Sequence, residues 1–222
     1  MNNINLLVIE MIICLALMII IYKKYKIEGL YGYIIITFLL SNIMSLKIIS
    51  IYNFDVNLGI VPLTTIFIAS NLIIQKQGTE EIKKLTLILV SISIVTYGML
   101  YLTSLLNSSN INLFTSESYD NILVGSERIY FANIVTILYT LLLNSKLYYF
   151  LKTDRNKIWI SNVFSGIIIQ FIVTLLFNIL AYSLIKEWIN IIQMTIMRYL
   201  ISIIVIIFGT IDLYIAKYIK EK

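Results

Sequence analysis

Asn42, Asn71, Asn144, Gln170 and Arg198 stand in the middle of long apolar runs. An unpaired amide or guanidinium is costly there. Amides recognise by hydrogen bonding, donating through NH2 and accepting through the carbonyl, so the chemistry these residues offer is binding. Catalysis finds little support. The chain has no histidine and a single cysteine, Cys14, which removes imidazole relays, disulfides and thiolate metal clusters. There is no Gly-rich phosphate loop, hence no ATP hydrolysis by this polypeptide, and no recognisable nucleophile pair. Enzyme activity, cofactors and metals are not expected.

The elements that position these residues follow from composition. The 222 residues are 59% hydrophobic and 13% charged, with a mean hydropathy of +0.91. A soluble domain carries about 25% charged residues. So much apolar surface cannot hide in one aqueous core, and the chain reads as one integral membrane domain over residues 1–222. Spans of ~20 residues are expected at 4–22, 31–51, 57–75, 85–106, 128–151, 159–185 and 189–216. Leu, Ile and Met dominate them, which predicts an all-α, polytopic bundle of seven helices and excludes a transmembrane barrel. The first segment lacks a basic leader, carries Glu10 and is followed by lysines, so it does not read as a signal peptide.

Charge between the segments predicts orientation. Lys23, Lys24, Lys26, Lys76, Lys83, Lys84, Lys152, Arg155, Lys157, Lys217, Lys220 and Lys222 fall on one side, against Arg128 and Lys186 on the other. The positive-inside rule puts the N-terminus outside and the C-terminus in the cytoplasm. The loop near 107–127 is rich in Ser and Asn, acidic at Glu117 and Asp120 and free of lysine, as an extracellular loop should be. Orientation therefore explains the net charge of +5 better than nucleic-acid binding does. Heavy use of Ile, Asn and Lys suggests an AT-rich bacterial genome, and so a bacterial plasma membrane.

Within the segments the polar residues are periodic. Asn162, Gly166, Gln170, Thr174 and Asn178 recur every four residues, which places them on one helix face. Asn133, Thr136, Thr140 and Asn144 form a second stripe. Thr64, Phe67 and Asn71 form a third, and Thr195, Arg198, Ser202 and Gly209 a fourth. Single Thr and Ser residues are explained by helix packing. The amides Asn71, Asn144 and Gln170 must face one another, water or a ligand. Arg198 requires a partner or an aqueous cavity. Glu10 and Lys47 lie at similar depth and are expected to pair. Asp212 is expected to reach the interface or nearby lysines. Pro62 belongs either in the first turn of the third helix or in a broken start to it.

From Glu28 onward the chain resembles the queuosine precursor transporter family, also known as vitamin uptake transporters. Glu28-Gly29-Leu30-Tyr31, Ser41-Asn42 and Lys47 are similar to its Gly-Leu-Tyr … Ala-Asn … Lys run. Asn57-Leu58-Gly59, Thr64-Thr65 and Ala69-Ser70-Asn71 resemble Thr-Leu-Gly … Ser-Thr … Ala-Thr-Asp, and Gln77-Gly78-Thr79-Glu80-Glu81 resembles Tyr-Gly-Lys-Lys-Glu. Arg128-Ile129, Asn144, the set Ser165, Gln170 and Thr174, and Arg198 fall where members carry Arg-Ile, Asp, Ser … Gln … Asp-Thr and a basic residue. Three family aspartates become Asn71, Asn144 and Val173 here.

The resemblance implies import of a queuosine precursor, a 7-deazaguanine base or queuine, for tRNA queuosine salvage. It implies a binding set of Asn42, Thr64, Phe67, Asn71, Arg128, Thr140, Asn144, Gln170, Thr174 and Arg198. In it Asn71, Asn144 and Gln170 hydrogen-bond the base, Phe67 stacks on it and Arg128 guards the outer mouth. The partners implied are the small-molecule base and the lipid bilayer, with no nucleic acid and with a homodimer as the assembly to test. The alternative is a substrate-binding membrane subunit of an ATP-driven vitamin or nucleobase transporter.

Overall fold

A straight helix over Asn3–Met44 would be 42 residues long, about 63 Å, far more than the ~30 Å bilayer core. The computed structural model, which describes residues 2–106, 118–119, 126–151 and 157–219, bends this element back on itself. Helix α1 (Asn3–Met44) is interrupted at Lys26, where φ is 54° and ψ −138°. The Tyr33 hydroxyl then lies 3.2 Å from the Cys14 carbonyl, and Asn3 Nδ2 donates to the Ser50 carbonyl at 3.1 Å. Both contacts require the two limbs to run antiparallel. The reversal is tight enough to need a glycine, because a Cβ at Gly29 would sit 2.7 Å from Tyr25 Cβ and 3.0 Å from the Ile21 carbonyl. The segments expected at 4–22 and 31–51 are the two limbs.

The second limb ends at Met44, not at 51, and an antiparallel hairpin follows, β1 (Ile48–Ile51) with β2 (Phe54–Asn57). Ile48 pairs with Asn57 and Ile51 with Phe54. Tyr52 and Asn53 form the two-residue turn at φ 49° and 66°, the left-handed pair that suits the twist of a hairpin. An apolar β-branched run such as Ile-Ile-Ser-Ile does not declare helix or strand by hydropathy alone. Here the turn and the pairing decide for strand, which adds a β element to the expected all-helical bundle. Lys47, in the turn before β1, is exposed and outside the helix. It makes no ion pair with Glu10 among the described residues, and Glu10 Oε1 is buried without a hydrogen-bond partner. The expected pair does not form.

Helix α2 (Ile60–Gln77) starts directly below the hairpin. Pro62 sits in its first turn, where the missing N–H costs no intrahelical bond. Gly59 permits the close approach: a Cβ there would meet Ser45 Oγ at 1.9 Å and the Ser41 carbonyl at 2.6 Å. Ile60–Pro62 and Thr64–Ile74 are buried, so α2 is the central rod. Around it stand α3 (Thr79–Ser104), α4 (Glu127–Leu151), α5 (Ile158–Tyr182) and α6 (Trp188–Tyr218). Five of these helices, α1 and α3 to α6, are long and apolar enough to cross a membrane. Their outward faces carry exposed Ile, Leu and Phe, among them Ile20, Leu87, Phe171 and Phe208, while Asn, Thr, Ser and Arg198 are buried inside. That polarity is the reverse of a water-soluble bundle and fits lipid as the solvent.

The ends of the bundle differ in charge. Tyr31 donates to Glu81 at 2.7 Å, joining the start of the second α1 limb to the start of α3 beside Lys83 and Lys84. At the other end Lys186 pairs with Asp55 at 3.2 Å, and Arg128 donates to the Leu180 carbonyl at 3.1 Å. Lys152, Arg155, Lys220, Lys222 and the acidic loop with Glu117 and Asp120 lie outside the described residues. Asp212 is buried on α6, with Oδ2 accepting no hydrogen bond among the described residues.

Candidate functional site

All four polar stripes turn inward, and they cross the bundle in two layers. The layer nearer the lysine-bearing end is made of amides. Asn144 of α4 donates through Nδ2 to Asn71 Oδ1 of α2 at 2.6 Å, and Asn71 donates to Asn162 Oδ1 of α5 at 2.7 Å. Asn162 donates onward to Thr210 Oγ1 of α6 at 2.8 Å, and Thr210 closes the series on the Ile206 carbonyl at 2.8 Å. Asn71 and Asn162 each accept from one neighbour and donate to the next, whereas Asn144 only donates. Of these side chains, Asn144 Oδ1 alone, at the head of the ladder, has no partner.

Asn71 and Asn144 are therefore brought together, but their hydrogen bonds are spent on each other and on Asn162. The nearby Thr64 donates to its own helix at Ile60 O, 2.8 Å, and lies 3.3 Å from Ser202 Oγ. Phe67 is fully buried in the apolar core. Asn42 is buried on the second α1 limb with Oδ1 unpartnered.

The second layer lies toward the hairpin. Between Leu63 and Asn71 on α2, and between Asn162 and Gln170 on α5, the step is eight residues, about 12 Å of helix. Its centre is Arg198, a side chain on α6 only 2% exposed. Nη1 donates to Asn57 Oδ1, the last residue of β2, at 2.8 Å. The guanidinium also lies 3.8 Å from the ring centroid of Phe177 on α5, which in turn meets Tyr182 edge-on at 6.1 Å. A cation over an aromatic face is worth about 2 kcal/mol when desolvated. No carboxylate pairs with Arg198 among the described residues. Arg198 Nε is buried without a partner among the described residues, and the Asn57 side chain lies against the Tyr182 hydroxyl.

A cavity opens on this layer between α2, α4, α5 and α6. Leu63, Ile137 and Val173 form its apolar walls, and Thr136, Thr140, Gln170, Thr174 and Arg198 its polar ones. Thr140 and Thr174 spend their hydroxyl hydrogens on Thr136 O at 2.7 Å and Gln170 O at 2.6 Å. Their oxygen lone pairs are left as acceptors, while Arg198 supplies donors. The free space is about 10 Å³, room for about one water molecule.

Of the residues the sequence singles out, Thr140, Gln170, Thr174 and Arg198 thus share one cavity, whereas Asn71 and Asn144 belong to the ladder. Arg128 is elsewhere. It joins α4 to the end of α5 through Leu180 O and Ser183 Oγ and lines an open cleft of about 360 Å³ with Phe131 and Ile179. Sequence reasoning gave no site role to Asn57, Phe177 and Asn162. Asn162 carried a signal, since it falls on the inward stripe of Gln170 and Thr174, whereas Phe177 lies beside that stripe, three residues after Thr174.

This architecture defines a multi-pass helical membrane protein with buried polar layers. Within that class, residues 57–216 match the family described as putative vitamin uptake transporter, and the chain belongs to that family. It is a family of transporters and not of enzymes. No curated protein and no solved structure matches the chain.

Proposed function

We propose that this protein imports a queuosine precursor, a 7-deazaguanine base, across a bacterial plasma membrane for salvage into tRNA. The observation that carries the reading is the Arg198 cavity. It offers donors from Arg198 and Gln170 opposite acceptor lone pairs on Thr140 and Thr174, within walls that are otherwise apolar. A deazaguanine presents a carbonyl acceptor beside ring N–H and amine donors, the matching set for such a wall. Ligand sites typically join a few convergent polar groups to apolar walls. Gln170, Arg198, Thr140 and Thr174 hold the base in this reading, and Asn57 positions the guanidinium.

The transport cycle uses both ends of the bundle. With seven spans, the N-terminus outside and the C-terminus cytoplasmic, the hairpin faces outward and the amide ladder lies on the cytoplasmic side of the cavity. A space of about 10 Å³ is far below the ~300 Å³ of a small-molecule site, so the described state is closed. Loading requires the hairpin to lift Asn57 away from Arg198, which frees the donors the base needs. Rocking of the bundle then opens the ladder side. The polar walls of the cavity carry no acid, so no proton step runs through it, and facilitated entry followed by intracellular trapping suffices.

The test is rescue. In a bacterium unable to make queuosine and lacking its own importer, expression of this chain with nanomolar base restores queuosine in tRNA. No rescue by any precursor, with the protein confirmed in the membrane, sinks the reading. Co-purification of an ATPase needed for rescue would move it to the subunit alternative.

A further inference from the structure

We infer that the Arg198 layer selects cargo by charge, admitting the 7-cyano base and rejecting the precursors that carry an ammonium, the 7-aminomethyl base and queuine. The inference rests on the cargo class proposed above and adds which member of it fits.

Its basis is an uncompensated cation. Arg198 is buried, and among the described residues its one side-chain hydrogen-bond partner, Asn57, is neutral, as is the Phe177 ring beneath it. The other polar walls, Thr136, Thr140, Gln170 and Thr174, are neutral too. The nearest acid along the hairpin, Asp55, already pairs with Lys186. One donor on the cavity wall, Arg198 Nε, is buried and unused among the described residues. A buried donor without an acceptor is unstable, and a cation without an anion more so. A bound group that satisfies them must bring lone pairs. A nitrile does so at no cost in charge. An ammonium brings donors only and adds like-charge repulsion where the surroundings screen poorly. Thr140 and Thr174 offer an ammonium two acceptor oxygens, but no negative charge to offset Arg198.

The experiment uses the full chain in proteoliposomes and initial uptake rates of labelled 7-cyano and 7-aminomethyl bases. The 7-cyano base is expected to be favoured by tenfold or more in rate over half-saturating concentration, about 1.4 kcal/mol. Arg198→Gln should narrow the ratio to within about threefold, whereas Arg198→Lys keeps the charge and should keep the preference. Equal or faster uptake of the aminomethyl base by the unmodified chain overturns the inference while leaving the cargo class standing. An unchanged ratio in a folded Arg198→Gln protein also overturns it, and Arg198→Met serves if the Gln variant does not fold. Uptake of neither base by folded, reconstituted protein overturns this inference, and if queuine is not taken up either it overturns the cargo class as well.

Discussion

The amide ladder and the Arg198 layer use the same kind of material and reach opposite balances. Both draw on residues from α2, α4, α5 and α6, both are buried, and about 12 Å of helix separates them on α2 and α5. In the ladder, Asn144, Asn71, Asn162 and Thr210 hand hydrogen bonds from helix to helix until one atom is left over. In the Arg198 layer a charge has one neutral hydrogen-bond partner among the described residues, its Nε has none, and a cavity adjoins it. Polarity at membrane depth therefore does not by itself mark a site. A satisfied network holds helices together, and an unsatisfied one beside a cavity has room for a ligand to complete it.

Breaking each layer in turn should give opposite signatures. The largest effect is expected from Arg198→Met. Uptake should fall by about 10- to 100-fold, the worth of a charge-assisted hydrogen bond. Thermal stability in detergent should change far less than uptake, because removing a buried cation that no carboxylate pairs offsets the lost contacts with Asn57 and Phe177. Asn71→Leu should do the reverse. It strands Asn162 Oδ1 and leaves Asn144 Nδ2 only the long 3.4 Å contact with Ser70 Oγ, at about 1–3 kcal/mol, lowering the melting temperature by roughly 2–10 °C in a chain of this size. Transport per folded molecule should stay within about threefold of the unmodified chain, about 0.65 kcal/mol.

A finer test is the double-mutant cycle of Asn71→Leu with Asn144→Leu, read by thermal unfolding. A coupling of ~1 kcal/mol is expected, the usual worth of an interhelical hydrogen bond in lipid. Zero coupling would show that the two amides do not meet.

The smallest effect concerns the tether of the hairpin. The Ser50 hydroxyl and the Lys186 ammonium hold the Asp55 carboxyl below the usual aspartate range, against the opposing effect of partial burial. A depressed folded pKa means the contribution is present above the unfolded value and lost as pH falls through the folded one. Asp55→Asn should thus cost under ~1 kcal/mol at neutral pH. Melting curves of the variant and the unmodified chain should converge on acidification below the ordinary aspartate range.

Much of this was legible because helical periodicity is local. Four-residue spacing put Asn162, Gln170 and Thr174 on one face, and the structure buries that face. Which inward amide meets which was not legible, because the depth of Asn71 relative to Asn144 and Asn162 is set by how whole helices slide past one another. The hairpin was hidden for another reason: Ile48–Ile51 is apolar enough to continue a helix, and only the Tyr52-Asn53 turn stops it. That hidden element supplies Asn57, the partner Arg198 was expected to need. Phe177 shows a choice the pattern left open. Phe67 lies on an inward stripe and Phe177 only beside one, yet the second is the ring that meets the guanidinium.

The contrast between the layers is tested most directly by ligand binding. Purified chain in nanodiscs is titrated with 7-cyano-7-deazaguanine, and the dissociation constant is measured for the unmodified protein, Arg198→Met and Asn71→Leu. Binding weakened by tenfold or more in Arg198→Met, about 1.4 kcal/mol, and changed by less than about threefold in Asn71→Leu is the predicted result. Binding that survives Arg198→Met and disappears in folded Asn71→Leu would place the site in the ladder and contradict the account.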